Sequence, residues 1–200
     1  MRSTGRRRLD RMSACRVLGL GIGALLLPWI ATATGSAGDT EKESTTFSDS
    51  EFSIRMKRPD SRNWGFRPRD KEHGALRTRL VHVIGGKKDY IQIDVMAWEA
   101  KTLNRTEREQ LERTMIDVDN YLSVIQERES DDHARFGRYK AIRYRVRGRT
   151  KHDEKLVQEV TAYVFKSGKI MYTVIIISDP GLLEQYKDDF KYIEKNFRAG

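Results

Sequence analysis

Cysteine is almost missing from this 200-residue chain, which has only Cys15. That residue precedes the first apolar run, so residues 38–200 carry no thiol. Disulfides are thereby excluded from that part in any redox compartment, together with cysteine nucleophiles and thiolate metal sites. Its stability must come from a packed core. Long apolar runs are missing too. The main one, Val17 to Ile30, has 14 residues, short of the roughly 20 that cross a bilayer. There is no G-x-S-x-G elbow, no H-E-x-x-H, no P-loop and no C-x-x-C, so the common hydrolase, zinc and nucleotide signatures are lacking. The four histidines, His73, His82, His133 and His152, are scattered. We expect no enzyme, no metal and no cofactor.

Positive charge is plentiful, but unevenly spread. The formal net charge is +9. Residues 1–37 hold Arg2, Arg6, Arg7, Arg8, Arg11 and Arg16 against Asp10, a net +5, which leaves +4 for the rest. A surface of mixed sign is ordinary for a solvated domain, and nucleic-acid binding is not expected. The arginines belong to a targeting pattern. An arginine-rich start is followed by the apolar Val17–Ile30 and then by Ala31-Thr-Ala-Thr-Gly-Ser-Ala37. Charged, apolar and small-residue stretches in that order define a secretory signal, with cleavage after Ala33 or Ala37. Retention as an uncleaved anchor is the competing reading. Arg6-Arg7-Arg8-Leu9 leaves open a twin-arginine route. Gly19-Leu-Gly-Ile-Gly23 mimics a dinucleotide fingerprint but follows no strand.

The expected organisation is a signal peptide at 1–37, a flexible linker at 38–50 and one α+β domain at 51–198. The linker is polar and short-sided. Phe52, Ile54 and Met56 alternate as in a strand that Pro59 closes. Trp64 and Phe66 lie in a loop or short strand. Leu76–Ile84 and Tyr90–Trp98 form a hairpin around Gly85-Gly86-Lys87-Lys88. Leu111, Met115, Val118, Leu122 and Ile125 make the stripe of an amphipathic helix, with Thr106 and Glu109 as its capping box. Arg135–Arg149, Leu156–Phe165 and Lys169–Ser178 read as three meandering strands. The last is apolar on both faces, so it should lie centrally with both sides covered. Asp179-Pro180 opens a closing helix bearing Leu183, Tyr186, Phe190, Ile193 and Phe197. Strands interrupted by two helices imply an antiparallel sheet with helices on its faces.

Several of these segments resemble one family. Phe52-Ser-Ile-Arg-Met-Lys-Arg-Pro59 with a Trp soon after, the mid-chain helix, Arg143-Tyr-Arg-Val-Arg-Gly148 and the ending Tyr172-Thr-Val-Ile-Ile-Ile177 with Phe190, Ile193 and Phe197 look like a PsbP-like domain, a family that includes DcrB-like envelope proteins. The resemblance covers about residues 51–198. It implies an α/β/α sandwich around an antiparallel sheet, and a role in binding or assembly. No residue here matches the metal positions of photosynthetic members.

The candidate site residues come from the strand after the helix. Its alternation sends Arg143, Arg145, Arg147 and Arg149 to one face, and each guanidinium can donate bidentately to a phosphate, a lipid headgroup or a carboxylate. Glu159, across a hairpin, falls opposite or near Arg145 and would neutralise part of the row. Asp131-Asp132-His133 is the densest ligand-like cluster, although nothing supplies further ligands at useful spacing. His82 has Gln92 and Asp94 on the partner strand, so a His–Asp contact is conceivable, without a nucleophile. Trp64, Phe66 and Trp98 suit core packing or a pocket lining. Gly85-Gly86-Lys87-Lys88 is a turn or a weak anion nest. Asn104-Arg105-Thr106 is a glycosylation sequon only in a eukaryotic secretory route. The expected function is that of an exported, non-catalytic binding or assembly module of the cell envelope, engaging another protein. The alternative is a carrier or sensor of a small anion or lipid through the arginine row.

Overall fold

The computed structural model describes residues 45–60, 63–72, 75–83 and 90–200. The targeting segment, His73 and the glycine–lysine loop at 85–88 lie outside them. Strands β1 (Thr46–Asp49) and β2 (Ile54–Lys57) pair as a hairpin. Then β3 (Trp64–Glu72), β4 (Ala75–Val83) and β5 (Tyr90–Glu99) form an antiparallel meander. One helical turn, α1 (Ala100–Leu103), leads into α2 (Glu107–Tyr121). An edge strand, β6 (Leu122–Asp131), precedes the short hairpin β7 (Arg135–Phe136) and β8 (Tyr139–Lys140). The second meander is β9 (Ile142–Thr150), β10 (Val157–Ser167) and β11 (Ile170–Ser178). Two helices, α3 (Leu182–Gln185) and α4 (Lys187–Asn196), and β12 (Arg198–Ala199) end the chain.

The two meanders join into one seven-stranded antiparallel sheet of order β3-β4-β5-β11-β10-β9-β6. β11 is fourth of seven and buried along its whole length, as its two apolar faces require. One face carries Tyr144, Val146, Val160, Ala162, Val164, Met171, Ile175 and Ile177 under Leu111 and Val118 of α2. The other carries Leu76, Leu80, Ile91, Ile93, Val95, Phe165, Tyr172, Val174 and Ile176 under β2, Ile193 and Phe197. The domain is thus an α+β layered structure with helices on both faces of an antiparallel sheet. The capping box of α2 is complete, with Thr106 Oγ1 accepting from Glu109 N–H and the Glu109 carboxylate accepting from Thr106 N–H at 2.8 Å.

Local structure departs from the sequence expectation in four places. Residues 46–49, assigned to the flexible lead, are strand, because Phe47 packs against the core and the strand pairs with β2. The helical stripe ends at Tyr121 and Ile125 belongs to β6. A bulge between Leu122 and Val124 brings Leu122 and Ile125 to the same face, so residues three apart imitate helical spacing. The strand expected over Arg135–Arg149 is broken after Phe136. Gly137 has φ +54, and a Cβ there would lie 2.5 Å from the Glu194 carbonyl oxygen, a place only glycine fits. The closing helix is interrupted at Tyr186 (φ −106, ψ 27). Its cap is Gly181 at φ 81, while Asp179 accepts from Leu182 N–H through its backbone carbonyl rather than its side chain.

Candidate functional site

The two layers are offset across the sheet, sharing its middle strands and leaving opposite ends bare. α2 packs on β10, β9 and β6, and no residue of β3 or β4 joins its core. On the other face the core of β2 and α4 takes in β3, β4, β5, β11 and β10 but nothing of β9 or β6. Two quarters of the sheet are therefore left to charged side chains, and both are rich in arginine.

In one quarter Arg77 and Arg79 close over Asp94, with Arg79 donating to it through Nε at 2.6 Å and Nη2 at 2.9 Å. Asp94 is buried and bidentately held, a strong arrangement for a carboxylate. In the register Asp94 lies opposite Arg79 and His82 opposite Ile91, so the two residues project from opposite faces. The His82–Asp94 contact considered from sequence is thereby overturned. His82 is enclosed between the rings of Trp64 and Tyr186, at centroid distances of 4.8 and 4.4 Å. Burial lowers its pKa, and the nearby Asp189 carboxylate, which accepts from Trp64 Nε1 at 2.7 Å, opposes that shift.

The second quarter holds the arginine row. Arg143, Arg145 and Arg147 stand opposite Asp131, Glu129 and Glu127 of β6, and Arg147 opposite Glu159 of β10. Arg143 meets Glu129 at 2.5 Å and Asp131 at 3.6 Å, and Arg145 meets Glu159 at 3.4 Å. Among the described residues no ion pair reaches Arg147 or Arg149. The result is a checkerboard of both signs, in which Arg145, Arg149, Glu127 and Glu129 are exposed, Arg143, Arg147 and Asp131 half-buried and Glu159 buried. At its margin burial raises the pKa of Tyr163, reinforced by Glu194 and opposed by Arg143. Burial likewise raises Glu194, whose carboxylate is partly compensated by the Gly137 N–H.

A cleft of about 500 Å³ opens at the end of the sheet between the start of α2 and the β7–β8 hairpin. Ala134, Ala141, Ile142 and Val164 form its floor, and Glu107, Arg108, Asp132, His133, Arg135 and Lys140 its rim. Of the Asp131-Asp132-His133 cluster, Asp131 turns to Arg143 and to the His133 N–H, and Asp132 to Arg108. No group of three or more metal-ligating side chains occurs among the described residues. Trp64 is core, Phe66 and Trp98 pack against the two cores, and none of them lines this cleft. The cleft was missed in the sequence because its residues come from four segments. The one local signal was the pair of cations, Arg135 and Lys140, flanking a glycine turn.

No helix among the described residues is long and apolar enough to cross a membrane. No protein-family model matches the chain, and no curated protein does. Solved structures similar to it include a protein of Bacteroides thetaiotaomicron, at 10% identity and TM-score 0.47, over 79% of this chain and 49% of that one. The chain thus spans about half the length of that protein. A second is LpqN, involved in cell envelope biogenesis of Mycobacterium tuberculosis, at 14% identity and TM-score 0.45, over 74% of this chain and 83% of that one. A third is the cyanobacterial PsbP of Synechocystis, at 14% identity and TM-score 0.44, over 84% of this chain and 99% of that one. PsbP, whose family the sequence resembles, is thus among the structures matched, at a distance that carries no function across.

Proposed function

We propose that the chain is an exported, non-catalytic binding or assembly module of the cell envelope that engages another protein. The observation carrying this reading is the uncovered quarter on β9 and β6. Its charges alternate in sign, which suits the mixed charge of a protein surface better than a simple anion. β6 is also an edge strand of 10 residues, whose outer backbone groups can pair with an added strand. Export of the chain rests on the order of its first 37 residues. The non-catalytic reading is supported by the separation of the three described histidines, His82 between two rings, His133 at an exposed turn and His152 against Tyr121. The test is mild crosslinking of the tagged full-length chain in its own envelope, with mass spectrometry of what is captured. Reproducible protein partners that disappear in the R145E/R147E variant support the reading. Their persistence in that variant, or their absence from the unaltered chain, refutes it.

Arg147 and Arg149, outside any ion pair among the described residues, favour a second reading as a carrier or sensor of a small anion or lipid. That reading requires ligand binding that weakens as salt rises.

A further inference from the structure

We propose that the cleft between the start of α2 and the β7–β8 hairpin binds an organic carboxylate. Its apolar body lies on Ala134, Ala141, Ile142 and Val164, and its charged end between Arg135 and Lys140.

The charge pattern is the first argument. Arg135 and Lys140 stand directly opposite each other in the β7–β8 ladder. Like charges so placed repel. Among the described residues no carboxylate pairs with either. Arg135 donates to the backbone carbonyl of Arg138 at 3.0 Å, which satisfies a hydrogen bond but leaves the charge uncompensated. The other strong cation of the rim, Arg108, is engaged by Asp132. A local conflict kept in an otherwise consistent hairpin marks a place where something else is meant to sit.

The shape and polarity of the cleft specify the rest. About 500 Å³ falls within the range of small-molecule sites, which are apolar with a few placed polar groups. Two alanines in the floor leave the room, and the Ala141 N–H donating to the Ala134 carbonyl at 2.9 Å fixes their spacing. Inorganic ions would leave that floor bare. Glu107 adds one negative charge to the rim, which disfavours a dianion such as phosphate and suits a single carboxylate. The first turn of α2 is closed by its own capping box, so the side-chain cations hold the anion. The same chemistry is offered by a free small acid and by the C-terminal residue of a polypeptide.

The test uses hexanoate as probe on the exported chain, read by backbone amide shifts at Ala134, Ala141 and Ile142. We expect saturable shifts there, with hexanol and acetate each weaker by about tenfold, a ratio one charge-assisted contact or a short apolar chain commonly supplies. R135E/K140E should abolish the shifts. K151E/K155E, the same change in net charge at the far end of β9, should leave them. If the charge reversals cost the fold, R135Q/K140Q must still weaken binding about tenfold. Equal binding of hexanol, equal binding of acetate, or no saturable shift would each overturn the assignment. A peptide ending in a free leucine carboxylate that competes with hexanoate, where its amide does not, identifies a polypeptide end as the source. Failure of both to compete identifies a free acid. The outcome is independent of the crosslinking test, which reads the β9–β6 face.

Discussion

Truncating Phe136 to alanine tests how the β7–β8 hairpin is held. β7 is only two residues long, so backbone pairing contributes little and the side chain must anchor it. Phe136 is 0% exposed. Its ring centroid lies 5.3 Å from Tyr163, 6.1 Å from Phe165, 6.4 Å from Phe190 and 5.2 Å from Phe197. It thereby joins the hairpin to β10, to α4 and to the chain end. Phe→Ala in such a site costs about 3–5 kcal/mol, lost transfer and residual cavity together. The ring-pair terms are part of that figure and are not added to it. For a domain of this size each kcal/mol lowers the midpoint by about 2–4 °C, so the expected drop is roughly 6–20 °C. Thermal and urea unfolding of the chain, followed by circular dichroism, measure it. The control is Tyr192→Ala, at a residue 39% exposed on the outer side of α4. A Phe136→Ala loss no larger than that of the control would refute the docking of the hairpin.

Three further outcomes follow from buried groups and close approaches. Burial holds the folded pKa of His82 below the ordinary histidine value of 6.5. The unfolded chain therefore binds the proton first, and stability should fall as pH drops below 6.5 and hold constant above it. H82F should flatten that slope in urea titrations, and an unchanged slope would assign it elsewhere. Asp117 is 5% exposed, its Oδ2 has no hydrogen-bond partner, and burial raises its pKa despite Arg113. Its native state holds the proton more tightly, so D117N should stabilise the protein at pH 7, with the gain vanishing as pH falls below the unfolded value of 3.8; a loss at pH 7 would refute this. A Cβ at Gly148 would lie 2.4 Å from the Val124 carbonyl oxygen. G148A should cost about 1–3 kcal/mol by forcing β6 off β9, and a neutral midpoint would show that β6 yields freely.

The elements legible in the sequence were those whose apolar spacing reports one face at a time. β4, β5, β10 and β11 came from alternation or unbroken apolar runs, and α2 from its stripe and capping box. What stayed hidden depended on partners distant in the chain. β6 has a mostly exposed side-chain pattern, so its strand state comes from pairing with β9 and not from alternation. β1 is four residues long and is strand only because β2 lies beside it. The arginine row was legible as a face. Its acidic counterparts were half legible, since Glu159 lies across a readable hairpin whereas Glu127, Glu129 and Asp131 lie on the strand that was missed.

That missed strand alters the physics of the row. A single guanidinium ladder would attract one sign of charge over its whole length. Flanked on β6 by three carboxylates and on β10 by Glu159, it becomes a surface with little net field but strong local alternation. Exposed pairs of this sort add little stability. Under the proposed binding role, their weight would lie in rejecting partners whose charges fall out of register, where like charges face each other. The offset of the two helical layers also explains why arginines alternate with apolar residues in both β4 and β9. Each strand has one face under a layer and one beyond its reach. The apolar residues of β4 go beneath β2 and α4, and those of β9 beneath α2. Long cationic side chains then shield the bare half of each strand with their stems while their heads stay in water. Alternation in this chain records where the helices stop, and the surfaces left open are those that its arginines and their acidic counterparts occupy.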